Sequence, residues 1–258
     1  MPADVLIVIP TLGRRADYLA QTLESIVSQS VAADIVLVAP LDAPAVIEAV
    51  TRFGISVIAD PGSLPSAINA GMASAQTHHR YVNWLGDDDL LTPGSLAATR
   101  AALEADSGRV LAYGACSYID EQGRDLWVSK AGRWAERILA WGPDLIPQPG
   151  MLVRREAWDQ VGGVDESLKF AFDLDLLLKL KRVGTLVDVG TVVSSFRWHS
   201  ESLTVSDRTM SLDESEAVKR RYLSPNARHL SWLWEKPVRG ATRLAAREVT
   251  RRARKLGV

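Results

Sequence analysis

One cysteine stands in 258 residues. Cys116 can neither close an intramolecular disulfide nor build a multi-cysteine zinc site, which fits a reducing compartment better than a secreted scaffold. It reads instead as a small buried apolar side chain. Charge of one sign is also scarce, because 30 basic and 31 acidic residues leave a formal net charge of −1. The whole-molecule field therefore gives no reason to expect a nucleic-acid partner, and any basic surface must be local. No apolar run approaches the roughly 20 residues that cross a bilayer. The start, Met1-Pro2-Ala3-Asp4, lacks the positive n-region of a signal peptide. These absences lead us to expect a cytoplasmic protein, soluble or peripheral at the inner face of a membrane. Internal repeats and low-complexity stretches are missing too. What is plentiful is apolar: 47% hydrophobic residues beside 24% charged support a substantial core in one or two domains.

Short β-branched runs alternate with helical segments through the first half, the pattern of a parallel sheet covered by helices. Strands are expected at Val5 to Ile9, Asp34 to Ala39, Ile55 to Ala59 and Tyr81 to Leu85. Helices are expected at about Ala16 to Ser28, Ala43 to Arg52, Leu64 to Ala75, and from Pro93 to Glu104. The second half predicts strands near Val110 to Ile119, Asp125 to Val128, Leu186 to Val189 and Val192 to Arg197. Helices from Arg155 to Val161 and Asp173 to Val183 lie between them. This is an α/β, Rossmann-like, mostly parallel sheet flanked by helices, followed by a C-terminal helical extension.

In such sheets ligands bind beyond the carboxyl ends of the strands. Thr11, Asp42, Asp60 and the triplet Asp87-Asp88-Asp89 fall there. Three successive carboxylates repel one another unless hydrogen-bonded or neutralised by a cation. Mg²⁺ or Mn²⁺ meets that demand with one or two carboxylates plus phosphate oxygens, which makes a diphosphate the natural ligand. The alternative is that the triplet caps the helix that follows.

Several segments together carry a family resemblance. They are Ile9-Pro10-Thr11-Leu12-Gly13-Arg14, Leu23 to Ser30, Ala67-Ile68-Asn69-Ala70-Gly71 and Trp84 to Gly94. On the acceptor side they are Pro147 to Arg155, Val161 to Leu168 and Phe172 to Leu180. In order and spacing, residues 4 to 205 resemble the GT-A glycosyltransferases of family 2. The resemblance implies a catalytic domain at 1–205, with a nucleotide-binding half (1–105) and an acceptor half (106–205), then a basic helical extension at 206–258. It implies that Asp88, with Asp89 beside it, holds a divalent metal, and that Asp87, Asp60 and Asn69 serve the sugar nucleotide, with Arg80 near the turn. Gly86 stands where the family carries the first acid of its Asp-x-Asp element. The aspartate that pairs with uracil is missing directly after the second strand, where Asp42 stands displaced, so uridine, thymidine and guanosine donors remain open. Asp60, Asn69 and Arg80 each have a structural alternative as turn former, helix contact or solvated charge.

Inverting transfer needs one carboxylate to take the acceptor hydroxyl's proton. Asp173 matches the acidic position of the family's catalytic helix. The helix N-terminus lowers its basicity, so local desolvation must compensate. For Asp173 and Asp175 alike the alternative is N-terminal charge–dipole stabilisation. Arg197 and His199 resemble a late Arg-x-His element that meets diphosphate and metal. Gln148, Trp198 and Asp175 are the acceptor-side candidates, and the adjacent pair His78-His79 shows no metal-ligand spacing. Residues 236 to 258 carry eight basic side chains against Glu248. On a helix, Val238, Ala241, Ala245, Val249, Ala253 and Leu256 would share a face, preceded by Trp232 and Trp234. That tail either packs on the acidic body or meets an anionic membrane.

The expected function is metal-dependent, inverting transfer of a sugar from a nucleoside-diphosphate donor to a saccharide or lipid-linked acceptor in polysaccharide or glycolipid assembly. The alternatives are a non-catalytic nucleotide-binding partner of a membrane assembly and, with no Gly-rich basic phosphate loop to support it, a nucleotidyltransferase.

Overall fold

The computed structural model describes residues 2–129, 134–198 and 208–240. Strands β1 (Val5–Pro10), β2 (Ala33–Ala39), β3 (Ser56–Ala59) and β4 (Tyr81–Trp84) are parallel, in spatial order β3-β2-β1-β4. Helices α1 (Ala16–Val27), α2 (Pro44–Phe53) and α3 (Leu64–Met72) connect them. β1 is apolar throughout because both of its faces are covered. Leu6 and Val8 join one core, while Val5, Ile7 and Ile9 join the other.

Gly71 sets the approach of α3 to the sheet, since a Cβ there would run into the Val8 side chain and lie 3.0 Å from Val38. Gly71→Ala is therefore expected to destabilise the fold by about 1–3 kcal/mol through overpacking. Urea unfolding reads this as a lowered midpoint at constant m-value. An unchanged midpoint would contradict the close approach.

The chain continues through β5 (Leu90–Leu91), α4 (Ser95–Glu104), β6 (Arg109–Ile119), β7 (Asp125–Val128) and α5 (Ala135–Ile138). Then come β8 (Leu152–Arg154), α6 (Arg155–Val161), α7 (Phe172–Val183) and β9 (Thr185–Arg197). The sheet runs on as β4-β8-β6-β9-β5, with β7 paired to β6. Here the pairings are mixed: β8 is antiparallel to both neighbours, β6 and β9 are parallel, and β5 is antiparallel to β9. The turn at residues 86–89 thus leaves β4 in mid-sheet and enters β5 at the far end of the strand path. That stretch holds the acidic triplet at the carboxyl rim.

Two expectations are corrected. The strands expected on either side of Gly190 are one strand, because Gly190 (φ 72°) lets residues between Asp188 and Val192 bulge against β6. The helix expected from Pro93 begins at Ser95, with Gly94 as its N-cap. The short β5, β8 and α5 had no periodic signal to announce them.

Beyond β9, α8 (Arg208–Tyr222) and α9 (Pro225–Leu230) are followed by a helix over 232–240. This last helix packs on α8 through Arg239, paired with Asp213 at 2.5 Å and Glu216 at 3.3 Å, and through Glu235, paired with Arg220 at 2.5 Å. Residues 232–240 therefore pack on α8, while the rest of the basic tail, and all of its expected apolar face but Val238, lies outside the described residues. No helix of the described residues is long and apolar enough to cross a membrane.

Candidate active site

Thr11, directly after β1, is buried and links the first loop to the acidic turn. It accepts from the Gly13 N–H at 2.9 Å and donates to Asp87 Oδ2 at 2.5 Å. Burial raises the Asp87 carboxyl above its ordinary range and the Asp88 charge adds to this, while Thr11 and Arg15 oppose it. Asp88 is held by Arg15 at 3.1 Å.

Asp89 is 4% exposed. Burial first, then repulsion from Asp88, drives its carboxyl well above the ordinary range, against a backbone hydrogen bond from Arg197. Gly86 accounts for the packing of the turn, because a Cβ there would lie 2.9 Å from both Asp88 Oδ1 and Asp89 Oδ2. These two carboxylate oxygens thus converge over the residue that departs from the family's element. A side chain at this position would make both carboxylate ends shift. The donor set is all oxygen, and Arg15 and Arg197 only partly offset its three carboxylates, so it fits Mg²⁺ or Mn²⁺.

Asp42 and Asp60 also sit at the carboxyl rim. Asp42 is exposed in the turn after β2. Asp60 follows β3, and its Oδ1 accepts from Gly62 N at 2.9 Å. Arg80 is not at this rim: it precedes β4 and pairs with Asp4 and Glu104.

Arg197 is placed differently from expectation, at 1% exposure and under the Tyr18 ring. Its guanidinium donates to the carbonyls of Asp88, Asp120 and Glu121 and to Gln21 Oε1. Four of its five N–H groups are thereby committed to protein oxygens. Arg197 fastens the acidic turn to β6 and α1, which is a positioning role.

Asn69 is likewise engaged. It donates to Val164 O and Glu166 Oε1 and accepts from Val164 N, which ties α3 to the loop after α6. Gln148 donates to Trp84 O at 2.9 Å, fixing the acceptor-side loop to the end of β4. Trp198 lies in an aromatic group with Trp127, 5.9 Å away, and Tyr118, 6.3 Å away. His199 lies outside the described residues.

On the acceptor side Asp173 occupies the first turn of α7, where its Oδ1 accepts from Leu174 N at 2.7 Å. Desolvation outweighs that bond and pushes the carboxyl up to about 6. Asp175 faces away from such chemistry: 1% exposed, it pairs with Lys179 at 2.9 Å and accepts from the Tyr222 hydroxyl at 2.6 Å.

Sequence reasoning missed three residues here. Glu214 of α8 accepts from the backbone N–H groups of Lys169, Phe170 and Ala171 and so clamps the entry to α7. Burial acts to raise its carboxyl, but the three N–H groups hold it below the ordinary range. Asp144 accepts from Ile146 N. Desolvation and then the Asp173 charge push it up to about 7, although the residue keeps enough exposure for water to screen part of that effect. Arg15 is the third. It sits in a segment that fails as a phosphate loop, and its charge is used on Asp88 instead.

A separate cluster, Asp34, His78 and His79, lies at the opposite rim, with ligand atoms within 4.8 Å of one another. The fold supplies the partner that the histidine spacing did not. His79 Nδ1 accepts from Gln76 N, so neutral His79 carries its proton on Nε2 and donates it to Asp34 at 2.9 Å. That tautomer makes the trio a proton-sharing clamp on β2, remote from the acidic turn.

Known proteins resemble this chain in sequence and in fold. An uncharacterized glycosyltransferase of Rickettsia typhi, RT0329, is 27% identical over 169 residues, covering 63% of this chain and 52% of that protein. The O-antigen biosynthesis protein RfbC of Myxococcus xanthus is 30% identical over 135 residues, covering 50% of this chain and 10% of that one. The chain thus spans about half the length of its rickettsial relative and a small part of RfbC. Among solved structures, S. aureus TarS 1-349 in complex with UDP-GlcNAc superimposes with a TM-score of 0.61 at 14% identity. That match covers 88% of this chain and 73% of TarS 1-349, and it establishes a shared GT-A fold. The family model for glycosyl transferase family 2 matches residues 6–161, most of the sheet and the whole acidic turn, and the chain belongs to that family.

Proposed function

We propose that this chain transfers a sugar, with inversion, from a nucleoside-diphosphate donor to a hydroxyl of a saccharide or lipid-linked acceptor. The reading places it in polysaccharide or glycolipid assembly, in the cytoplasm or at the inner face of the membrane. The observation that carries it is the convergence of Asp88 and Asp89 oxygens over Gly86 at the carboxyl rim. Residues 1–205 form the catalytic unit in this reading, with donor binding in 1–105 and acceptor binding in 106–205. The UDP-GlcNAc complex of TarS makes uridine donors the first class to test, and the O-antigen role of RfbC favours a glycan product.

Asp88 and Asp89 are the metal ligands, with His199 as a further candidate. When bound, Mg²⁺ or Mn²⁺ supplies positive charge to the departing diphosphate. Thr11 and Asp87 shape the donor side of the turn, Asp42 and Asp60 face the nucleoside, and Asn69 and Gln148 hold the two halves in register. Arg197 keeps the Asp88 backbone and the Asp89 carboxylate in place. Asp173 accepts the proton of the attacking acceptor hydroxyl, and Trp198 offers an aromatic face to the sugar.

The pH profile tests the base. A carboxylate acts as base only when deprotonated, so activity grows as pH rises through the Asp173 value of about 6. At pH 5 about a tenth of the plateau rate should remain, whereas a carboxylate of ordinary pKa would remain almost fully active. Asp144 is close enough to couple, so the pair titrates in two macroscopic steps and Asp144→Asn should leave one. An acidic limb near pH 4 in the wild type would remove Asp173 from this role. Release of nucleoside diphosphate from a panel of sugar nucleotides, dependent on Mn²⁺, tests the reaction as a whole. The absence of any turnover would favour a non-catalytic nucleotide-binding partner.

A further inference from the structure

The helix over 232–240 divides into two faces at helical period. Trp234, Glu235, Val238 and Arg239 turn inward, while Trp232, Leu233, Lys236, Pro237 and Gly240 are exposed. Trp234 and Val238 line a groove shared with Trp141 and Lys219, and the ion pairs of Glu235 and Arg239 lock the helix to α8. The outward face is therefore presented by a packed element. It carries Trp232 at 63% exposure and Leu233 at 52%, with Leu230 at the end of α9 at 51%. Three large apolar side chains in four positions, left in water, are a liability without a partner.

Charge selects that partner. Residues 236–258 carry eight basic side chains and one acidic, a net of +7, so residues 1–235 carry −1 − 7 = −8. The positive charge of the chain is concentrated directly after the apolar face. Tryptophan and leucine beside a dense basic segment match the boundary between acyl chains and anionic headgroups.

We infer that Leu230, Trp232 and Leu233 form a membrane-docking wedge that enters the interface of an anionic bilayer, with the exposed Lys236 beside them on the headgroups. The wedge deepens the inner-membrane location proposed above, yet it does not depend on the transfer chemistry. Docking there holds the chain beside lipid-linked acceptors.

The test uses the full chain and vesicles of phosphatidylcholine alone or with about one third phosphatidylglycerol. The wild type should sediment with the anionic vesicles at low salt and leave them in molar salt, where the Debye length is about 3 Å. Trp232→Ser/Leu233→Ser should weaken that binding by about tenfold or more. Its thermal midpoint and its nucleotide binding should stay at wild-type values, because both side chains are exposed. Brominated lipids should quench part of the wild-type tryptophan emission, which checks insertion without any variant. Asp88→Ala should bind vesicles like the wild type, so loss of the catalytic reading and loss of the wedge are separable. Undiminished binding by the double variant, equal binding to neutral vesicles, or no quenching would overturn the inference. So would a dimer that the double substitution splits, since a second copy would then own the face.

Discussion

Asp173→Asn is expected to lower the transfer rate by about 10²–10⁴-fold while leaving donor affinity within about twofold. The asparagine is nearly isosteric, and its side-chain oxygen can still accept from Leu174 N, so the first turn of α7 keeps its bond. What is lost is the proton acceptor. A carboxyl raised to about 6 is a stronger base than an ordinary aspartate and is still ionised at neutral pH. Desolvation has overcome the helix N-terminus here, which by itself would weaken the base. Single-turnover transfer beside equilibrium donor binding separates the two effects. Normal transfer by the variant would move the base elsewhere in the crevice, with Asp144 the next group to replace.

Asp88→Ala should abolish the divalent dependence of donor turnover and cost about 10³-fold in rate, since the metal's stabilisation of the leaving diphosphate is worth several kcal/mol. The fold should not suffer. Asp88 raises the carboxyls of both Asp87 and Asp89 by repulsion, so its removal relieves the turn. A thermal midpoint at or above the wild type, together with lost Mn²⁺ response, is the expected pair of results. Unchanged turnover would remove this mechanism, and a lowered midpoint would mean that the Asp88 pairing with Arg15 is a structural tie rather than a site.

Much of this was legible in the chain because the relevant signals are local. β1, β2 and β4 are short apolar runs ending in polar residues, and the carboxyl-end rule then brings Thr11, Asp60 and Asp87 to Asp89 to one rim. What was illegible is tertiary. Arg197 looks like a phosphate ligand by residue type. Only the crossing of β9 beside the acidic turn reveals carbonyls of three residues waiting for its fork. Asp175 shares the helix start with Asp173, but the two positions differ in what packs on them: Tyr222 and Lys179 meet Asp175, while Asp173 stays partly open toward Asp144. No spacing along the chain links Asp144 to Asp173, or Glu214 to the loop before α7. Gly86 departs from the family's acidic element, and two carboxylate oxygens pack where its Cβ would lie, a contact no spacing along the chain announces.

The central claim is that the turn after β4 grips a cation carrying diphosphate oxygens. Crystals soaked with Mn²⁺ and a uridine or other nucleoside-diphosphate sugar test it most directly, by anomalous scattering at the manganese edge. The account predicts a manganese peak touching carboxylate oxygens of Asp88 and Asp89 and oxygens of the diphosphate. Bound nucleotide with no manganese at that turn, its carboxylates still held by Arg15, Thr11 and backbone amides, would contradict it.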